Sequence, residues 1–142
     1  MKMIRPYILI FLIGLLTACS APATNVDLSP PVPGRLALFT EVENDVSAKT
    51  NAEDEPAPAK IGQDLRPGGG AQSGEDSRAR LDLVPDGTII RLAPNSTFTL
   101  EALSDDTETP LTRLQLLGGQ LWIILSGGEL ETDTPYGTAS VR

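Results

Sequence analysis

Few side chains in this sequence can do chemistry. It contains no histidine and a single cysteine, Cys19. Without histidine the commonest general base and zinc ligand are absent, and so are the Ser-His and Cys-His pairings. One cysteine can neither close an intrachain disulfide nor build a thiolate metal cluster. A carboxylate pair is the remaining catalytic option, and the nearby candidates are Asp82, Glu101, Asp105 and Asp106. Such a pair needs a cleft and a controlled separation. These four acids fall in a loop or on the polar faces of predicted strands, where solvated charge is the default. Glu53-Asp54-Glu55 lacks the spaced D-x-D-x-D-G order of a calcium loop and reads as a solvated run. Arg66-Pro67-Gly68-Gly69-Gly70 lacks the Gly-Lys-Ser/Thr of a phosphate loop and reads as a turn between strands. No catalytic residue, metal-ligand set or cofactor site is assigned. Nineteen acidic against eleven basic residues give a formal charge of −8 over 142 residues. With no segregated basic run, a nucleic-acid partner is excluded.

Cys19 is the one reactive group with a clear context. Lys2 and Arg5 precede an uncharged apolar run from Tyr7 to Leu16. As a helix these ten residues reach ~15 Å, about half of the ~30 Å hydrocarbon core, which is the size of a signal-peptide apolar region. Leu16-Thr17-Ala18-Cys19-Ser20 resembles the bacterial lipobox, in which small residues precede a cysteine that receives a diacylglycerol before cleavage. The reading is a lipoprotein signal peptide at 1–18 and a lipidated Cys19. Each buried acyl methylene contributes ~0.8 kcal/mol, so several chains on one N-terminus anchor stably. Loss of Lys2 and Arg5 with the leader takes the charge from −8 to −10, so anionic headgroups repel the protein and the lipid does the holding. Ser20 after the cysteine, instead of Asp, suits delivery to an outer membrane where the cell has two.

The elements that must follow are a tether and a β domain. Residues 19–34 carry Pro22, Pro30, Pro31 and Pro33 and form an extended linker. Residues 35–42 read as a strand with Leu36, Leu38 and Val42 on one face. Residues 44–62 read as a mobile acidic loop broken by Pro56 and Pro58. From Arg78 onward apolar residues alternate, punctuated by Pro85-Asp86-Gly87, Pro94-Asn95, Gly118-Gly119 and Gly127-Gly128. Leu81, Leu83, Ile89, Leu92, Phe98, Leu100, Leu116, Leu121 and Ile123 are expected to face inward. A faint echo of Leu-x-Leu, glycine turn and apolar strand at Leu81–Leu92, Leu114–Leu125 and Leu130–Val141 suits a β-solenoid or a two-sheet sandwich. The fold class is therefore all-β. Trp122, among Leu121, Ile123, Ile124 and Leu125, is expected to pack; a sugar-stacking platform or a binding hot spot is its other use. Asn95-Ser96-Thr97 matches a glycosylation sequon but reads as a turn.

Four stretches carry a resemblance. They are Ser77-Arg78-Ala79-Arg80-Leu81, Asp86-Gly87-Thr88, Leu114–Ile123 with Gly118, Gly119 and Trp122, and Thr134-Pro135-Tyr136-Gly137-Thr138-Ala139-Ser140-Val141-Arg142. In this order they resemble the FecR domain family over about residues 35–142. The resemblance implies a β-solenoid-like or two-sheet extracytoplasmic domain acting in signal transduction by protein binding. Familiar members are inner-membrane sigma regulators with a cytoplasmic anti-sigma segment and a transmembrane helix. Here the lipobox stands in place of both, so nothing is left to touch a sigma factor. Members also continue past this point with Gly-Thr or Gly-Ser and further strands. That would make the chain a C-terminally truncated form with its last strand at an open sheet edge.

The expectation is a non-catalytic, lipid-anchored FecR-type binding or signalling module of the bacterial envelope. It would lie outside the cytoplasm, on the outer membrane facing the periplasm where two membranes exist. Its partners would be the membrane, through the N-terminal lipid, and an envelope protein, with no nucleic acid and no small-molecule cofactor. The competing expectation is a structural or adhesion lipoprotein in which the domain is a spacer.

Overall fold

Period-two alternation of small or branched apolar residues with polar ones runs through most of the chain after Gly34, and it folds as strands throughout. The computed structural model describes residues 34–104 and 109–142. The signal peptide at 1–18, Cys19 and nearly all of the 19–34 linker lie outside the described residues, as do Asp105 and Asp106. The strands are β1 (Leu36–Glu43), β2 (Val46–Lys49), β3 (Ala57–Pro58), β4 (Asp64–Leu65), β5 (Gly70–Ser73), β6 (Arg78–Val84), β7 (Thr88–Leu92), β8 (Thr97–Leu103), β9 (Leu111–Gly118), β10 (Leu121–Ile124), β11 (Glu129–Thr134) and β12 (Gly137–Val141).

They form an all-β, two-sheet sandwich. One sheet has the order β10-β7-β6-β1-β4 and the other β12-β11-β9-β8-β5-β2-β3. Pairing is antiparallel except between β9 and β11. That pair arises because the chain leaves the seven-stranded sheet after β9, runs as β10 on the other sheet, and returns. Solenoid stacking would pair parallel strands in this way repeatedly; among the described strands it happens once, since β3–β4–β5 makes the same excursion without β3 pairing β5. The three echoing stretches are accordingly not one repeated unit. Leu81–Leu92 and Leu130–Val141 are hairpins within a sheet, whereas Leu114–Leu125 crosses between sheets.

The core lies between the sheets. Phe39, Leu65, Leu81, Leu83, Ile90, Leu92, Phe98, Leu100 and Leu114 are fully buried, each contributing about 1.5–3 kcal/mol relative to exposure. Two expectations about facing are corrected, in β1 and β7, and a bulge adds a change of parity in β8. In β1 the inward residues are Ala37 and Phe39, with Leu36 and Leu38 only half-buried; leucine count misled where one phenylalanine sets the parity. A register shift between Phe39 and Glu41 then turns Val42 back toward the core. In β7 Thr88, Ile90 and Leu92 point inward and Ile89 does not. In β8 a shift between Leu100 and Ala102 hands the inward position to Leu103.

The 44–62 segment is also corrected. It contains β2, whose Val46 and Ala48 are buried, and the short β3. Small apolar residues alternating with Ser47 and Lys49 leave too little hydrophobic signal to stand out beside the acidic stretch that follows. The Arg66–Gly70 glycines do form the link from β4 to β5. Gly69 and Gly70 press on the Lys49–Thr50 and Phe98 carbonyls, leaving no space for a side chain.

Candidate binding surfaces

Among the described acids and bases, the most buried charge is one that sequence reasoning passed over. Arg35 lies just before β1, with 6% of its side chain exposed, and Asp86, in the β6–β7 turn, with 14%. Arg35 Nε and Nη2 donate to Asp86 Oδ1 and Oδ2, both at 3.0 Å. Nη2 also donates to Thr112 Oγ1 at 3.0 Å and Nη1 to the Leu111 carbonyl at 3.1 Å, both on β9. The guanidinium therefore ties the five-stranded sheet to the seven-stranded one. Burial raises the Asp86 pKa, but hydrogen bonds from Arg35 and Thr88 and the Arg35 charge together outweigh it, and the carboxyl is held below its usual range. The group is a structural clasp: all its bonding capacity toward Arg35 is already used.

Serines make a second set of ties. Ser77, fully buried, accepts from Asp45 N and donates to the Glu75 carbonyl, both at 3.0 Å. Ser96, also fully buried, accepts from Gln120 N at 2.8 Å and donates to the Pro94 carbonyl at 3.1 Å. Gly119, with φ +84°, sits against Asn95 and Ser96, so this glycine is fixed by close approach as well as by its turn. Asn95 takes φ 52°, as its expected turn requires.

Of the candidate catalytic acids, the two described ones, Asp82 and Glu101, do not converge. Asp82 points outward from the five-stranded sheet, where Arg80 Nε donates to it at 2.7 Å. Glu101 is exposed on β8 of the other sheet. Glu53, Asp54 and Glu55 are exposed, with Asn51 Oδ1 accepting from the Glu53 and Asp54 amides. Among the described residues no group of three or more acids or other ligands is placed to hold a metal.

Two surfaces have unused binding capacity. The first is the seam where the sandwich gapes beside β10. The strand order leaves β10 and β12 as edges of their sheets. Between them an apolar groove of about 370 Å³ is lined by Leu116, Leu121, Ile123, Leu125, Leu130, Thr132, Ala139 and Val141. Leu116, Leu121, Ile123 and Leu125 pack on the core from one side and remain half-buried, because no described element covers the other. Thr132 is buried, and its Oγ1 has no hydrogen-bond partner among the described residues. Every residue of β12 is exposed. The hairpin tip beyond it carries Tyr136 at 99% exposure, on a turn closed by Thr134 Oγ1 donating to the Gly137 carbonyl at 2.7 Å.

The second surface is the outer face of the five-stranded sheet. Here the expectation for Trp122 is corrected: its side chain is 59% exposed. On β10 the inward residues are Leu121 and Ile123, so strict alternation turns Trp122 and Ile124 to solvent. The apolar run around Trp122 hid this, since a continuous run does not reveal which parity faces the core. Trp122 is opposite Arg91, Arg91 opposite Arg80, and Arg80 opposite Glu41, in one row across four strands. Glu43 and Arg78 are register neighbours in the next outward row, without an ion pair between them. Together these residues border an open depression of about 450 Å³ floored by Ala79, Leu92 and Pro94. Comparison of the chain with protein-family models, with curated proteins and with solved structures finds no match.

Proposed function

We propose that the protein is a lipid-anchored, extracytoplasmic FecR-type binding module of the bacterial envelope, tethered through Cys19 and docking a protein partner without chemistry of its own. One observation carries the docking: the apolar seam between the free edges of β10 and β12. An unpaired edge presents a row of backbone donors and acceptors. A polypeptide strand laid on that edge would gain ladder hydrogen bonds, and its alternate side chains would fall on Leu121, Ile123 and Val141. The chemistry asked of the partner is an extended segment with apolar residues at every second position. The anchor rests on the lipobox-like Leu16–Ser20 and the proline-bearing linker after it. The FecR resemblance is supported by where its motif residues fall. Ser77 and Asp86 make the buried ties of the β6 start and the β6–β7 turn, and Gly87 carries that turn at φ +77°.

The test is site-specific photocrosslinking in the native envelope, with the crosslinker at Val141 in the seam or at exposed Gln72 on β5. The expected result is one discrete adduct with an envelope protein from position 141 and none from position 72. No adduct from 141, or the same smear from both, would return the protein to the spacer reading.

A further inference from the structure

The outer face of the five-stranded sheet lies on the opposite side of β10 from the seam, and what it can bind is independent of whether the seam takes a partner. A tryptophan left 59% exposed on a strand is a large apolar surface kept in water. Beside it lie three arginines in a chain of net charge −8. Arg80 is already engaged, donating to Asp82 at 2.7 Å and to Glu41 at 3.2 Å. Arg78 and Arg91 are exposed and make no ion pair among the described residues. Each keeps a planar fork of donors that matches a carboxylate.

The acids on the same face narrow the ligand. Glu41, Glu43 and Asp82 balance the three arginines, so recognition here rests on individual arginine–carboxylate pairing and not on a net positive field. The face offers a flat ring for stacking, free donors for an isolated carboxylate, and carboxylate acceptors for hydroxyl groups. The row from Trp122 to Glu41 crosses three strand spacings, about 14 Å in all, which is the scale of an oligomer lying across the sheet.

We propose that this face binds a glycan whose pyranose rings carry carboxylates, with a ring on Trp122, a carboxylate on Arg91 or Arg78, and hydroxyls donating to Glu41 and Glu43. Two sources share that chemistry: uronic-acid polymers, and peptidoglycan glycan strands from which the peptides have been removed, leaving the ether-linked lactyl groups as free carboxylates.

Trp122 is the only tryptophan in the chain, so its fluorescence reports the site directly. The purified full chain is titrated with oligogalacturonate, with peptide-free peptidoglycan glycan strands, with a neutral glucose oligomer of equal length, and with polyglutamate. A saturable fluorescence change with either acidic glycan, at least about tenfold tighter than with the neutral oligomer, supports the proposal and tells the two sources apart. Arg91→Gln is expected to weaken that binding by about tenfold with thermal stability unchanged, and Trp122→Ala to abolish it by calorimetry. No response to either acidic glycan overturns the proposal. So does equal affinity for the neutral oligomer, or polyglutamate binding as tightly, which would make the face an acidic-peptide site.

Discussion

Replacing Arg35 by methionine tests whether the sandwich is clasped by a buried ion pair. The substitution keeps the aliphatic stem but removes both hydrogen bonds to Asp86 and those to Thr112 and the Leu111 carbonyl. Removing one member of a buried pair costs about 3–5 kcal/mol, because the remaining charge loses its compensation. The estimate falls toward the lower end here, since Asp86 keeps its bond from Thr88 and some contact with water. Urea unfolding should therefore show a loss of about 3–4 kcal/mol with an unchanged slope. Asp86→Asn should cost less, about 1–2 kcal/mol, because the amide oxygen still accepts from the guanidinium. The double variant Arg35→Met/Asp86→Leu should recover part of the loss, as an apolar pair replaces an orphaned charge. A loss under about 1 kcal/mol for Arg35→Met, or a double variant less stable than the single one, would refute the clasp.

Other outcomes follow from the same geometry. Asp86 has a folded-state pKa below its unfolded value of ~3.9, so its contribution is complete above about pH 5 and is lost as the pH falls through the folded value; acid unfolding of Asp86→Asn should show a shallower pH dependence in that range. Leu81→Ala, in the fully buried core, should cost about 2–5 kcal/mol, and Leu121→Ala, half-buried at the seam, less than about 2 kcal/mol, by the same urea measurement. Gly119→Ala should destabilise by more than about 1 kcal/mol, because its methyl would meet Ser96 and the Asn95 carbonyl on a backbone at φ +84°. Cys19→Ser should abolish partition of the processed protein into the detergent phase, and a processed, detergent-partitioning serine variant would end the lipid-anchor reading.

Fold class was legible because β-branched and leucine residues alternate between turn dipeptides, as in β6 and the turn at Asp86-Gly87. Facing was most legible where one parity held nearly all the apolar bulk. Leu81 and Leu83 in β6 satisfied that; Leu36 and Leu38 in β1 competed with Phe39, and Ile89 with Ile90. Bulges at Thr40 and Glu101 reversed parity mid-strand without any proline or glycine to mark them. Of the binding surfaces, the open edge at β12 was foreseeable from the poverty of large apolar residues in 137–141. The gape beside β10 was not, because it depends on which sheet β10 joins. The Trp122 row was equally hidden: Trp122, Arg91, Arg80 and Glu41 span some eighty positions, and only strand order brings them together. Arg35 left no local signal, since its partners lie fifty and more residues away.

Amide hydrogen exchange, compared between the chain in a cell-envelope preparation and the same chain purified in detergent, bears most directly on the proposed docking at the seam. If a partner strand completes their edges, residues 121–124 and 137–141 should exchange more slowly in the envelope sample, while residues 57–58 at the far edge of the seven-stranded sheet exchange alike in both. Identical exchange at 121–124 and 137–141 in the two settings would contradict the account.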